Sequence, residues 1–318
     1  MSRLRDKVIV VTGAGRGIGR AYAEFLAAEG AKLVVNDTGG DINGLGTAEG
    51  LAGEVAAAIV ANGGQAVADT HDVVTDGDAL AHRAVQAFGR LDGLVNNAGI
   101  VTMGGIDELT PTQIRRMVDV HLMGTINTVR AAWPIMREQG GGRIVNTSSA
   151  SVFGVGGAPL YPAAKSAVIG LTRALAMDGA ALGIKVNAVM PMGYSRMADT
   201  QAGLAEFMRQ NFAAELVAPF VGTLLVDEVP CTGETFAVAG GRAARVFLGT
   251  VPGSTKVATI DDCLANFDQI LSRDGYSAPD SMDEEIGFEY HHLGIDLSQL
   301  GINLAELGTA TASADVPA

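Results

Sequence analysis

The sequence predicts an α/β fold built on a doubly wound parallel sheet, in a single domain over residues 1–300. Three observations predict it. From Val8 to Met190 short β-branched runs alternate with amphipathic stretches without a break. The runs are continuously apolar, as strands are when helices cover both faces of a sheet. A glycine-rich turn, Gly13-Ala-Gly15-Arg16-Gly17-Ile18-Gly19, separates the first run from the first amphipathic stretch, where such folds hold ligands.

The elements follow in order. Val8–Thr12 is the first strand, and the next helix sets Ala23, Leu26 and Ala27 on one face. Residues 31–37 are the second strand; a glycine-rich loop over 38–46 leads to a helix near 48–61. Residues 65–69 are the third strand and 76–88 its helix. Residues 91–96 are the fourth strand, followed by one long helix over 111–139. Residues 142–147 are the fifth strand, the Tyr161 helix follows, and 184–190 is the sixth strand. Beyond Pro191, residues 204–216 and 217–226 read as helices, 234–238 and 243–248 as strands, and 260–271 as a helix. The cofactor half is expected at about 1–150, segments covering the substrate at about 192–300, and a flexible tail at 301–318.

Composition narrows the function classes. The chain has 318 residues, 48% of them hydrophobic, and a mean hydropathy of +0.26, enough for a large core. It carries 22 basic against 35 acidic residues, a formal charge of −13, and no basic run, so no nucleic-acid partner is expected. No apolar run is long enough to cross a bilayer, and the N-terminus runs straight into a strand without a signal-peptide pattern. A cytoplasmic protein without a membrane partner is expected. Two cysteines, Cys231 and Cys263, make no disulfide scaffold and fit a reducing compartment. No metal site is expected.

The chemistry concentrates between Asn146 and Lys165. Tyr161 and Lys165 lie four apart and share a helix face. Pro159 and Pro162 are compatible with that helix because proline is tolerated in a first turn. A phenol with a pKa near ~10 is a poor base at neutral pH, and a neighbouring ammonium favours its ionised form; a shift of three units is worth about 4 kcal/mol. A serine hydroxyl beside the pair would hold the substrate oxygen. Ser148 ends the fifth strand; Ser149 and Ser151 are the alternatives. A helix-surface Tyr–Lys pair is the plain reading that the rest of the chain must outweigh.

The glycine-rich turn reads as a phosphate cradle: glycine permits the turn, and backbone approaches a pyrophosphate at the helix N-terminus. Asp37 ends the second strand, where a carboxylate accepts from both adenine-ribose hydroxyls and repels a 2′-phosphate. That favours NAD over NADP, against Arg16, which could reach such a phosphate. Asp72-Val73 follows the third strand, where the adenine edge would lie. Asn97-Ala98-Gly99, after Asn96, lets backbone approach the cofactor.

With Thr12-Gly13-x-x-x-Gly17-x-Gly19, Asn96-Asn97-Ala98-Gly99, Ser148 and Tyr161-x-x-x-Lys165 in that order, residues 7–195 resemble a short-chain dehydrogenase/reductase. The resemblance implies a Rossmann-like domain, hydride transfer between nicotinamide and a carbonyl or alcohol carbon, and a homo-oligomer, tetramer or dimer. It implies that Tyr161 is the general acid/base, that Lys165 holds the nicotinamide ribose and tunes Tyr161, and that Ser148, thirteen residues before the tyrosine, positions the substrate oxygen. Two positions depart from the family pattern. His121 stands where the family often has an asparagine whose carbonyl holds a relay water; a backbone role survives the change, and an imidazole relay is the other reading. The usual Pro-Gly is Pro191-Met192-Gly193, so Pro191 and Gly193 are expected to give backbone contacts to the carboxamide.

A narrower likeness points to substrate. Asn36-Asp37-x-Gly39-Gly40, Val120-His121-Leu122, Ala131-Ala132-Trp133, Thr147 to Ser151 and Ser195-Arg196-Met197 resemble the (3R)-hydroxyacyl-CoA dehydrogenase part of peroxisomal multifunctional enzyme type 2. The expected substrate is a bulky apolar secondary alcohol or its ketone, a 3-hydroxyacyl-CoA first and a steroid or terpenoid alcohol as the alternative. Met192, Tyr194, Met197, Leu204, Phe207, Met208 and Phe212 would line its pocket or serve as helix core. Arg196, Arg209, Arg242 and Arg245 would bind CoA phosphates or pair with surface carboxylates. A non-catalytic NAD-binding regulator is the competing class, against which the intact Ser148, Tyr161 and Lys165 argue.

Overall fold

The first strand buries both of its faces, which is why its sequence is almost entirely apolar. In β1 (Val8–Thr12), Ile9 and Val11 point to one helical layer and Val8 and Val10 to the other. The computed structural model describes residues 2–41, 43, 44, 46, 48, 50–194 and 204–295.

Eight strands form one sheet in the order β3-β2-β1-β4-β5-β6-β7-β8. They are β2 (Lys32–Asn36), β3 (Gln65–Asp69), β4 (Gly93–Asn96), β5 (Gly142–Thr147), β6 (Ile184–Met192), β7 (Thr235–Ala239) and β8 (Arg242–Val246). All neighbours pair in parallel except β7 and β8, which are antiparallel around a two-residue turn of Gly240 and Gly241, both at positive φ. The order reverses between β1 and β4, and the cleft at that point opens beyond the strand C-termini.

One helical layer holds α1 (Gly17–Ala28), α2 (Leu51–Ala61) and α8 (Ala218–Leu224), packing Tyr22, Leu26, Val55, Ile59 and Val221 on the sheet. The other holds α3 (Gly77–Phe88), α5 (Gly124–Glu138) and α6 (Leu160–Gly179), with Leu80, Ala84, Val129, Ala132, Met136 and Ala176. Between these lie α4 (Pro111–Val118) and α7 (Leu204–Asn211), and the later helices are α9 (Ile260–Ala265), α10 (Phe267–Leu271) and α11 (Met282–His292). The chain divides into two compact units, Met1–Val246 and Phe247–Ala318. The first holds the entire sheet; the described part of the second holds α9 to α11 and a Thr250–Ser277 bridge.

The strands fall where the sequence puts them, and the helices differ instructively. The expected helix over 111–139 is three pieces. Thr110 starts α4 with a reciprocal cap to Gln113, then Asp119–Met123 makes a π-helical turn before α5. The helix expected from residue 48 begins at Leu51, because Gly50 takes φ +95. The helix over 260–271 breaks at Asn266, whose side chain bonds the Asp262 carbonyl at 2.7 Å. The eighth strand stops at Val246, short of Phe247 and Leu248. The α11 helix was missed, although its Ser281 cap, acidic first turn and terminal histidines are start and stop signals. Arg196 and Met197 lie outside the described residues, as does the tail.

Tyr22 gives the core a testable irregularity. It is 0% exposed, and its hydroxyl has no hydrogen-bond partner among the described residues. An unpaired buried hydroxyl costs about 1–3 kcal/mol, so Tyr22→Phe is expected to leave folding stability unchanged or raise it by about 1 kcal/mol. Denaturant unfolding of the two proteins checks this; a loss of stability would mean that the hydroxyl is bonded.

Candidate active site

All the cofactor and catalytic candidates except Gly193 line one cavity at the C-terminal edge of the sheet. Gly193 lies just past β6, where a Cβ would stand 3.1 Å from Ile18 Cγ1. Sheet order spaces the cavity's contents. Asp37 and Asp72 follow β2 and β3 at one end. The serines follow β5 at the other, with β1 and β4 between.

The glycine turn is a cradle that side chains would fill. A Cβ on Gly13 would meet Ala98 Cα at 2.8 Å, one on Gly15 would meet Asp37 Oδ2 at 2.8 Å, and one on Gly19 would fall on the Gly13 carbonyl. Asn97 fixes this approach: its Nδ2 donates to the Thr12 and Gly13 carbonyls at 3.0 and 3.1 Å. Asp37 is oriented by backbone, its Oδ2 accepting from Gly15 N at 2.8 Å and its Oδ1 from Gly39 N at 2.7 Å.

At the other end, Tyr161 and Lys165 share one face of α6, and Lys165 Nζ lies 5.9 Å from the Tyr161 ring centre. Lys165 is 3% exposed and donates to the Thr147 carbonyl at 2.7 Å. Burial lowers its pKa to about 7. Burial also raises the pKa of Tyr161, opposed by a hydrogen bond from the Ser149 side chain. This corrects the expectation that the ammonium lowers the phenol. A lysine that is itself desolvated to about 7 is only partly charged near neutrality, and burial of the phenol dominates.

The two serines part ways. Ser148 is buried and its Oγ donates to the Lys165 carbonyl at 2.9 Å. Ser149 Oγ accepts from Ser151 N at 3.1 Å and is bonded to Tyr161. Its hydroxyl is thereby held beside the phenol oxygen. Ser151 Oγ is buried and without a partner among the described residues.

His121 sits in the π-helical turn, 2% exposed, its ring edge-on to Tyr161 at 5.3 Å. Burial, reinforced by the Lys165 charge, holds its pKa well below the usual imidazole value. The neutral ring places its proton on Nε2, which donates to the Ile100 carbonyl at 2.7 Å, and Nδ1 has no partner among the described residues. Its own carbonyl accepts from Thr125 Oγ1 at 2.9 Å.

A family model described as short chain dehydrogenase matches residues 7–205. The chain belongs to the short-chain dehydrogenase family. It is an oxidoreductase on that ground, and the cradle fits the nicotinamide cofactor that the family uses. The chain is 39% identical over 280 residues to a short-chain type dehydrogenase/reductase of Mycobacterium tuberculosis, covering 86% of this chain and 97% of that one. It is 40% identical over 238 residues to the peroxisomal hydratase-dehydrogenase-epimerase of Saccharomyces cerevisiae, covering 74% of this chain and only 26% of that enzyme. The full-length peroxisomal multifunctional enzyme type 2 of Drosophila melanogaster is similar in structure, with a TM-score of 0.77, 29% identity, and coverage of 91% of this chain and 50% of that one. The chain thus spans half or less of these two multifunctional relatives. Among the described residues, no helix of this dehydrogenase is long and apolar enough to cross a membrane.

The substrate-side expectations separate. Phe207 packs on Phe212 at 5.8 Å between ring centres and is half exposed. Neither lines the cavity, nor do Met192, Tyr194 and Met208. Arg209 lies 3.7 Å from Glu206 and Arg245 2.6 Å from Glu234, the pairing that was the alternative to an anion site.

Lys165 couples stability to pH. Between its folded value of about 7 and the ordinary 10.5, the unfolded chain holds a proton that the folded chain has lost. Stability from this group therefore rises with pH across that window, by at most about 1.4 kcal/mol per pH unit, and is flat outside it. Lys165→Met is expected to remove this slope from denaturant unfolding measured between pH 7 and 10.5. An equal slope in both proteins would contradict it.

Proposed function

We propose that the protein is an NAD-dependent dehydrogenase of secondary alcohols, with 3-hydroxyacyl thioesters as its substrate class. One observation carries the reading: Ser149, Tyr161 and Lys165 meet at the far end of the same cavity as the glycine cradle and Asp37. Bound nicotinamide would supply the hydride acceptor, or the donor in the reverse direction. Ser149, oriented by the bond from Ser151 N and lying beside the phenol, would turn its hydroxyl to donate to the alcohol or carbonyl oxygen. Tyr161 takes the proton from that oxygen or returns it. Lys165 would hold the ribose and, when charged, would favour the phenolate. The serine proposed here is therefore Ser149, and Ser148 becomes a tether of α6. Thirteen-residue spacing selected Ser148, but spacing does not record which way a side chain points.

The NAD reading is supported by Asp37, whose carboxylate is held toward the cradle by Gly15 and Gly39 with no cation paired to it among the described residues. A 2′-phosphate there would face like charge. The thioester reading is supported by the motifs shared with the multifunctional enzymes and by similarity over most of this chain to two of them. The part of the first unit that follows β6 remains the proposed cover for the substrate. The free Cys231 and Cys263 support a reducing, cytoplasmic setting.

Two variants separate the serines. Ser149→Ala is expected to lose about 10²-fold in kcat with little change in stability. Ser148→Ala is expected to lose about 1–3 kcal/mol of stability because it breaks a buried tether. Reversed outcomes would return the role to Ser148. Tyr161→Phe should bind cofactor normally and turn over nothing; residual activity near that of the wild type would sink the acid/base assignment.

For the cofactor, kcat/KM with NAD is expected to exceed that with NADP, and Asp37→Ala to narrow the difference. A substrate panel decides the rest: NAD-coupled turnover of an uncharged cyclic alcohol but of no acyl-CoA would overturn the thioester class.

A further inference from the structure

We infer that Arg116 is a determinant of dinucleotide binding, holding together the cavity walls around the adenosine half. The inference rests on the nucleotide reading above and adds a residue that no sequence motif marks. Arg116 projects from α4. Its Nη2 donates to the Gly44 carbonyl at 3.1 Å and lies 3.6 Å from Asp72 Oδ2. One guanidinium thus joins three segments far apart in sequence: the loop after β2, the turn after β3, and α4.

Its partners are fitted to it. Gly44 takes φ +75, and a Cβ there would stand 2.8 Å from Ile100 Cγ2 and 3.4 Å from Arg116 Nη2. Glycine alone lets the backbone lie against both. Asp72 is fixed from its other oxygen, which accepts from Val74 N at 2.8 Å. Gly44, Asp72, Ile100 and Arg116 all line the cavity that Asp37 and the glycine cradle line.

Charge points the same way. At this end the residues lining the cavity include Asp37 and Asp72 and the basic Arg16 and Arg116. A dinucleotide brings two negative charges on its pyrophosphate. Without Arg116, the carboxylates of Asp37 and Asp72 would remain near that ligand with the Arg116 charge removed. Arg116 therefore acts as a positioning residue for Gly44 and Asp72 and as a counter-charge. The Asp72 contact places the guanidinium at the β3 side of the cavity, where the adenosine half is proposed to lie. The Arg116 side chain is 33% exposed, so it reaches solvent as well as the cavity wall.

Calorimetric binding of ADP-ribose and of nicotinamide mononucleotide to the full chain tests this, with thermal midpoints as a control. Arg116→Ala is expected to weaken ADP-ribose about tenfold or more, and nicotinamide mononucleotide less than about twofold. Arg116→Lys should fall between, because it restores charge without the planar fork. Gly44→Ala should show the same ligand-selective loss with every charge intact. Unchanged ADP-ribose affinity in Arg116→Ala overturns the inference, as does an equal loss for both ligands. A wild-type protein that binds no ADP-ribose overturns it together with the nucleotide reading. A selective loss supports it even if no alcohol gives NAD-coupled turnover, an outcome that overturns the dehydrogenase reading alone.

Discussion

Two hydrogen bonds tie the end of β5 to α6, and the site depends on them. Lys165 Nζ donates to the Thr147 carbonyl, and Ser148 Oγ donates to the Lys165 carbonyl. One lysine is thereby held by its side chain and its backbone to consecutive strand residues. Taking an ammonium out of water costs several kcal/mol, so a lysine that is 3% exposed stays in place only with such a partner. With α6 pinned at Lys165, the preceding turn sets Tyr161 beside Ser149. Ser148 and Ser149 leave the strand end in opposite directions, so the hydroxyl that makes the tether and the hydroxyl that meets the phenol belong to different residues.

Beneath this tie runs a buried polar ladder. Thr128 Oγ1 donates to Asn96 Oδ1 at 2.7 Å, Asn96 Nδ2 to Asn146 Oδ1 at 3.0 Å, and Asn146 Nδ2 to Thr172 Oγ1 at 3.0 Å. It links α5, β4, β5 and α6 through residues that are all buried. Asn96 and Asn146 face each other in register, so the ladder adds a side-chain cross-tie to the backbone pairing. A satisfied network of this kind fixes geometry, because any slip leaves a buried polar group unpaired. It holds the strand that ends in Asn97-Ala98-Gly99 and the strand that leads to the serines at one relative height.

The π-helical turn adds a third constraint. It places His121 where the imidazole wedges between Ile100, Gly99 and the Tyr161 ring. A Cβ on Gly99 would stand 2.7 Å from His121 Cε1, so the last glycine of Asn96-Asn97-Ala98-Gly99 makes room for this ring as well as for ligand. The ring is neutral because it is buried, and it shares its surroundings with Lys165 without adding a second full charge. The edge-on contact limits how far the phenol can tilt.

The sequence by itself determined the strands, the glycine cradle, Asp37 and the Tyr161–Lys165 pair. Each of these rests on a short-range rule: an apolar run covered on both faces, a turn open only to glycine, or a four-residue helical spacing. It did not determine which serine meets the phenol, because Ser148 and Ser149 are alike in type and differ only in direction at a strand end. Nor did it place the π-helical turn, where one extra residue enters a helix whose composition is helical throughout. Arg116 carries no local signal, since its partners Gly44 and Asp72 lie 72 and 44 positions away in the chain. Spacing puts a phenol beside an ammonium but does not show that both are taken out of water, which is what dominates at Tyr161 and Lys165. Only the tertiary structure decides these points, because direction, long-range contact and desolvation exist only once the chain has packed.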